Sequence, residues 1–231
     1  MVSPMTFHHA TVLARQAAAV DQLSGGRLIL GVGAGWNEYE HELFGVPFLT
    51  TKERMDLLEA GVARIRDTWT KSKPQPPRGG TIPLLMGGVG EKRALPLVAR
   101  EAAEWNFTSL RQDEYRHKRD VLNAACRDIG RDPASLRYSV MTSFIVGRNR
   151  DELRERAVQM TAILPRLKRE TPDETLAAAK VSMFVGTPEE IAEQVRDFAK
   201  LDVELFMLQH FLLDDRDALA LLASDVIPAI A

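Results

Sequence analysis

Cysteine is almost absent from this 231-residue sequence, in which Cys126 is the only one. A disulfide bond within the chain is therefore impossible, and a reducing compartment, the cytoplasm, is expected. The residues before it, 122–125 (LNAA), are typical of a helix interior, which favours a buried and inert thiol over a reactive one. No metal site is expected, because no set of His, Cys and carboxylate residues has the spacing of metal ligands.

Long apolar runs and an excess of one charge are also missing. No apolar run approaches the roughly 18 residues of a membrane span, and the N-terminus shows no charged region followed by an apolar one, so neither a membrane segment nor a signal peptide is expected. The 30 Lys and Arg residues nearly balance the 32 Asp and Glu residues, for a formal net charge of −2. This balance gives no reason to expect nucleic acid or an acidic membrane as a partner.

Three common signatures are absent as well: the Gly-x-Ser-x-Gly elbow of α/β hydrolases, the P-loop and the Rossmann G-x-G-x-x-G. The chain instead alternates apolar strands with amphipathic helices. Uninterrupted apolar runs at 27–33 (RLILGVG) and 82–86 (IPLLM) predict strands that are buried on both faces, as in a parallel sheet. Thr171 and Thr187 each begin the pattern Thr-Pro-x-Glu, which predicts two capped helices.

The same reading gives about six strands, where a closed TIM barrel needs eight. We therefore expect parallel βα units in a single domain over residues 1–231. The linker-like stretch 71–80 (KSKPQPPRGG) is interpreted as a loop and not as a domain boundary, since it is short. The remaining predicted strands are a short extended piece at 1–6 and segments at 103–107, 138–147 and 203–209.

Ligands of parallel βα proteins bind at the carboxyl ends of the strands, so the segments just past each strand are the candidate sites. The first candidate is 31–37 (GVGAGWN). Its glycines would let the backbone approach a flat ligand, Trp36 could form a wall, and Asn37 could hydrogen-bond the edge of a heterocycle. A tight turn with no ligand is an equal alternative.

The second candidate is 87–93 (GGVGEKR), which lies between a strand and a helix. Unpaired amides at a helix N-terminus, next to Lys92 and Arg93, favour a phosphate over a glycine-rich turn with exposed charges. Trp105 lies towards the end of the predicted strand 103–107 and His210 follows 203–209. Core packing is the alternative interpretation for Trp105, and solvent exposure is the alternative for His210.

Four blocks, in order along nearly the whole chain, resemble the luciferase-like monooxygenase family and, within it, the F420-dependent oxidoreductases. They are 13–48, which contains GRLILGVGAGWNEYE, and 82–106, 130–140 (GRDPASLRYSV) and 184–195 (FVGTPEEIAEQV). The resemblance implies an α/β TIM barrel of the bacterial luciferase type that binds F420, or alternatively FMN, at its carboxyl face. It implies a cytoplasmic, homodimeric oxidoreductase that acts on a small organic substrate by hydride transfer or monooxygenation. A non-catalytic or degenerate flavin-binding protein of the same fold is the alternative.

The resemblance also assigns cofactor-binding residues, in three groups. One residue, near the end of a strand, often touches the cofactor; three flank its ring; and the start of a helix holds its phosphate. These are Ser3; then Gly35, Trp36 and Asn37; and then Gly87, Gly88, Val89, Gly90, Glu91 and Lys92.

The departures from the family concern the start of the chain. Relatives usually begin with about two further βα units, one of which ends in an Asp-His pair whose His is often catalytic. Met1 falls inside the family's third strand, so no catalytic residue is assigned and the barrel is expected to be incomplete. The acid of some sugar-phosphate dehydrogenase relatives is replaced here by Trp36. An upstream start, a trimmed product and a short protein all stay open, and an open barrel strengthens the expectation of a partner chain.

Overall fold

The computed structural model describes residues 2–71, 73 and 75–230. These residues form two compact units: unit 1 runs to Asn106 and includes Lys118–Arg137, and unit 2 consists of Phe107–His117 and the residues from Tyr138 onward. A single domain over 1–231 stays a prediction. Residue 1 of the predicted N-terminal extended piece, and residues 72 and 74 of the predicted 71–80 loop, lie outside the described residues.

Seven described strands alternate with helices, as the sequence predicted. The strands are β1 (Ser3–Pro4), β2 (Leu30–Gly33), β3 (Leu84–Gly87), β4 (Glu104–Phe107), β5 (Arg137–Val146), β6 (Met183–Gly186) and β7 (Leu205–Gln209). The helices are α1 (Ala10–Leu23), α2 (Glu38–Leu43), α3 (Thr51–Lys71), α4 (Ala94–Glu101), α5 (Gln112–Asp128), α6 (Arg150–Ile163), α7 (Pro172–Ala179), α8 (Pro188–Ala199), α9 (Arg216–Leu221) and α10 (Ile227–Ile230).

Unit 1 contains a parallel sheet in which β1, β2, β3 and β4 pair in chain order. Val32 of β2 pairs with Ser3 of β1 on one side and with Met86 of β3 on the other. Consecutive parallel pairing is the arrangement that βα units produce when each helix crosses back over the sheet. The carboxyl ends of these four strands therefore lie side by side.

The helices of unit 1 pack closely because α1 presents small residues to α3. Ala14, Ala17 and Ala18 are buried on α1, and the Trp69 indole of α3 donates a 2.8 Å hydrogen bond from Nε1 to the carbonyl oxygen of Ala14. Trp69 is 1% exposed, so this bond is made inside the core. The short side chains of α1 therefore allow the two helices to pack closely.

Unit 2 is built around the ten-residue strand β5. Its residues 143–146 pair in parallel with β6, and its residues 139–143 pair in parallel with β7. An apolar cluster that includes Ile145, Met160 and Val185 forms the core between this sheet and α6 and α7. The two predicted capped helices are α7 and α8, which begin directly after Thr171 and Thr187.

Among the described strands, β1 pairs only with β2 and β7 pairs only with β5, so the barrel is not closed. The predicted incomplete α/β barrel is thereby confirmed. The structure adds β6, which none of the predicted strands covers. Residues 91–93 form a turn, so α4 begins at Ala94 and the segment 87–93 precedes it.

Candidate functional site

The predicted site residues come together at the carboxyl edge of the unit 1 sheet. Pro4 of β1 pairs with Gly33 of β2, and Gly87 of β3 pairs with Asn106 of β4. Ser3, which is partly exposed, lies in β1 just before this edge. The loops 34–37 and 88–93 leave the sheet from the neighbouring strands β2 and β3. Sequence reasoning therefore placed both loops on the correct edge.

Gly35 is required by the shape of the loop after β2. Its φ of +79° is a conformation that other residues rarely adopt. A Cβ atom at this position would lie 2.9 Å from Thr6 Oγ1 and 3.3 Å from His41 Cε1, which is too close for an ordinary contact. This glycine therefore lets the loop pass directly over His41.

His41 is the residue of this loop that sequence reasoning missed. It is 1% exposed, although Glu40 and Glu42 on either side of it are exposed. Its Nδ1 lies 2.7 Å from the carbonyl oxygen of Asn37, and its Nε2 lies 2.8 Å from Thr6 Oγ1. Since a carbonyl can only accept, Nδ1 carries a proton and donates. The acidic sequence around it gave no signal of burial.

The side chains of Trp36 and Asn37 differ in how much of each is available to a ligand. The Trp36 side chain is 83% exposed, which suits the predicted wall for a flat ligand. Asn37 caps α2, and its side-chain oxygen accepts a 3.4 Å hydrogen bond from the Glu40 amide. The cap uses the oxygen, so the NH₂ group of Asn37 is the part that can donate to a ligand.

The loop after β3 exposes backbone amides in front of α4. Gly88 has a φ of +103°, and its carbonyl oxygen accepts a 3.0 Å hydrogen bond from Trp105 Nε1. Within the described part of the chain, the amides of Val89, Gly90 and Lys92 donate no hydrogen bond. These free N–H groups lie in the turn before α4, whose N-cap is Arg93, and their partial positive charge next to a helix N-terminus favours an anion.

The side-chain charges of this loop are mostly committed elsewhere. Arg93 donates to Glu59 at 3.0 Å and to Asp56 at 2.7 Å, and these two hydrogen bonds raise its pKa. Glu91 accepts a 2.6 Å hydrogen bond from Lys118 Nζ. Arg93 is thus held by two acids of α3, and its role at an anion site is not part of the proposal below. Lys92 is exposed and forms no ion pair within the described residues.

The other residues that the sequence singled out are buried or packed against neighbouring side chains. Trp105 is fully buried, so the core interpretation is confirmed for it. His210 is partly buried, stacks on Phe144 at a ring distance of 5.1 Å, and donates from Nε2 to the Asp215 carbonyl oxygen at 2.9 Å. Cys126 is buried, and its desolvation raises the pKa of the thiol, as expected for an inert cysteine.

No group of three or more His, Cys, Asp and Glu residues in the described ranges could hold a metal ion. None of the helices described is long and apolar enough to cross a membrane.

The carboxyl edge of unit 1 offers the free amides of the loop after β3, the ammonium of Lys92 and the exposed indole of Trp36. Together these groups suit a flat molecule that carries a phosphate.

Comparison with solved structures finds the same fold in larger proteins. A monooxygenase from Streptomyces bottropensis superposes with a TM-score of 0.80 at 17% identity, covering 100% of this chain and 77% of that one. An F420-dependent secondary alcohol dehydrogenase, solved in complex with an F420-acetone adduct, gives a TM-score of 0.73 at 19% identity and covers 97% of this chain and 76% of that one.

Curated relatives include phthiodiolone/phenolphthiodiolone dimycocerosates ketoreductases. The protein of Mycobacterium tuberculosis H37Rv is 30% identical, over 66% of this chain and 45% of its own length. The protein of Mycobacterium kansasii is 26% identical, over 85% of this chain and 67% of its own length. The chain thus spans less than half the length of the first of these relatives. The family model described as luciferase-like monooxygenase matches residues 1–205. The chain therefore belongs to the luciferase-like monooxygenase family.

Proposed function

We propose that this chain binds F420, with FMN as the alternative, and acts as an oxidoreductase on a small organic substrate. Two features on the loops of neighbouring strands carry the proposal. Free amides precede α4 on the loop after β3, and Trp36 is exposed on the loop after β2. The reaction is hydride transfer, with monooxygenation as the second form of chemistry in the family.

Similar proteins support a cofactor of this type. The alcohol dehydrogenase above is named as F420-dependent, and an oxygenating constituent of 3,6-diketocamphane monooxygenase from Pseudomonas putida was solved in complex with FMN. The mycobacterial relatives are named as ketoreductases, which favours carbonyl reduction over oxygen insertion. F420 is our first choice because the sequence blocks are most similar to the F420-dependent subgroup.

The residues of unit 1 have distinct roles in this proposal. The amides of Val89 and Gly90 and the ammonium of Lys92 would hold the phosphate. Trp36 would stack against the ring, and the NH₂ group of Asn37 would donate to a ring carbonyl. When bound, the cofactor supplies the site that accepts or gives up hydride. The chain supplies binding and orientation, the usual contribution of a protein to cofactor chemistry.

A second candidate, a flavin-binding protein without catalytic activity, is favoured by one observation. At this edge of unit 1, His41 has both ring nitrogens in hydrogen bonds and Arg93 is held by two acids. Within the described residues of these two loops, no imidazole or guanidinium is therefore left for proton transfer.

We also propose that the chain is cytoplasmic and homodimeric. The single cysteine supports a reducing compartment. Exposed apolar residues on α1 support association, since Leu23 is 90% exposed and Val12 53%. Light scattering on a size-exclusion column gives the mass directly, and a monomer at micromolar concentration would reject the dimer.

The test of function compares FMN, F420 and riboflavin by isothermal titration. We expect the phosphate-bearing FMN to bind more tightly than riboflavin, and we expect Lys92→Glu to remove most of that difference. Lys168→Ala, an exposed lysine of unit 2, is the matched control and should leave all affinities unchanged. Binding of neither cofactor would reject both functions. Binding without turnover of reduced F420 with simple ketones would favour the non-catalytic candidate.

A further inference from the structure

Two hydrogen bonds clamp the backbone on either side of Trp36. Arg54 Nε donates to the carbonyl oxygen of Gly35 at 3.1 Å, and His41 Nδ1 donates to that of Asn37 at 2.7 Å. The residues before and after Trp36 are thus fixed while its indole remains 83% exposed. An aromatic side chain on a fixed backbone loses little conformational entropy when a ring stacks on it.

His41 is itself held in one orientation. Nδ1 carries the proton that Asn37 accepts, and Nε2 forms the second hydrogen bond of the ring, with the Thr6 hydroxyl at 2.8 Å. The rings of Phe7 and Phe48 lie 4.5 Å and 4.9 Å from the imidazole ring. The Arg54 guanidinium lies 4.1 Å above the Phe48 ring, so Arg54 and His41, the two donors to the Trp36 loop, both contact Phe48.

Thr6 makes the clamp a link between two strands. It lies in the short 3-10 helix Met5–Phe7 after β1, whereas His41 belongs to α2 after β2, 35 residues later in the chain. Gly35 lies against this link, where even one added carbon would contact Thr6 Oγ1 at 2.9 Å. The loop therefore packs directly against the Thr6–His41 hydrogen bond.

We propose that Thr6 and His41 are positioning residues that set Trp36 as a stacking platform for the flat ring of the ligand. The inference rests on the proposed function and adds a requirement to it: ring affinity depends on the Thr6–His41 hydrogen bond. If the bond only stabilises the fold, any equal loss of stability in unit 1 would affect ring binding in the same way.

The test uses three threonine variants. Thr6→Val has the same shape and lacks the hydroxyl, and Thr6→Ser restores it. Thr68→Val is the control, because Thr68 lies in unit 1 outside this hydrogen-bond network and its hydroxyl donates to the Arg64 carbonyl oxygen at 2.8 Å. Riboflavin and FMN are the probes, and their affinities are read from tryptophan quenching. Trp69 and Trp105 are buried, so Trp36 is the tryptophan that solvent quenchers reach.

We expect Thr6→Val to weaken riboflavin and FMN alike by about tenfold, the ratio that the loss of one well-made hydrogen bond can produce. Thr6→Ser and Thr68→Val should stay within about threefold of the parent. Without ligand, Thr6→Val should also lower the fluorescence anisotropy of Trp36, because the clamp is loosened. Equal affinities in Thr6→Val and the parent, or an equal loss in Thr68→Val, would overturn the inference.

Failure of the proposed function gives a different result. If the parent chain binds neither riboflavin, FMN nor F420, that function is rejected, and the role of the clamp in ring binding is rejected with it. Unchanged anisotropy in Thr6→Val would reject the clamp alone, whether or not a cofactor binds.

Discussion

Glu104 is a buried carboxylate that finds no hydrogen-bond partner among the described residues. It lies in β4 next to Leu85 of β3, is 2% exposed, and neither of its oxygens accepts a hydrogen bond from the described part of the chain. We expect Glu104→Met to raise the free energy of unfolding by roughly 1–3 kcal/mol, because it removes an unsatisfied buried group while keeping most of the volume. Urea denaturation followed by circular dichroism measures the change.

Asp21 provides the contrasting variant. It is fully buried as well, but its Oδ1 accepts from the Leu28 amide at 3.1 Å and from Arg78 at 3.0 Å. Asp21→Asn should therefore destabilise the chain, since it weakens a charged hydrogen bond. If Glu104→Met also destabilised it, the carboxylate would have to be serving a partner.

His41 and Glu104 also show the limit of sequence reading for single residues. The turn at Gly35 could be predicted, because a glycine-rich stretch after an apolar strand favours a positive φ. The sequence around His41 is that of an exposed helix, and its burial arises from Thr6, 35 residues away. Contacts of this range depend on the register of two strands, which the local pattern does not contain.

At the scale of elements, the start of α8 is stabilised by a reciprocal cap between Thr187 and Glu190. The Glu190 amide donates to Thr187 Oγ1 at 3.4 Å, and the Thr187 amide donates to Glu190 Oε2 at 2.8 Å. We expect Thr187→Ala to lower the free energy of unfolding by about 1 kcal/mol, since it leaves a helix-terminal amide unpaired. Thr187→Ser keeps the oxygen and should stay close to the parent in the same denaturation experiment.

Helix starts were the most predictable elements, because a cap is a local signal. Thr171 and Thr187 each precede a helix as expected. The strand β6 was missed since its four residues stand directly before the Thr187 cap and are too few to show a period. The hydrogen bonds of Arg93 to Glu59 and Asp56, just before α4, are tertiary contacts that no local pattern contains.

At the scale of the whole molecule, the incomplete barrel could be predicted by counting strands, since each buried apolar run stands for one strand. Which residues face each other across the strands could not, because it depends on pairing over long separations. The ion pairs between distant elements could not be predicted either. Arg148 and Asp217, for example, form an ion pair across 69 residues of sequence, and no local pattern indicates it.

These ion pairs make stability depend on pH in the acid range. The hydrogen bond from Arg148 lowers the pKa of Asp217 to about 2, and the hydrogen bond from Arg156 lowers the pKa of Asp215. The Arg148 amide likewise lowers the pKa of Glu152. A carboxyl whose pKa is lower in the folded chain stabilises it above the unfolded pKa, near 4, and this stabilisation is lost as the pH falls towards 2.

We therefore expect the melting temperature to be nearly constant from pH 7 to about pH 5 and to fall between about pH 4 and pH 2. Asp217→Asn should lower it at pH 7 and flatten the acid decline, because the group that titrates is gone. Asp128→Asn is the control, since Asp128 is exposed and makes no ion pair within the described residues. Added salt should weaken the effect, as Asp217 is half exposed and solvent screens its attraction to Arg148. A decline equally steep in Asp217→Asn would place the acid sensitivity in other carboxylates.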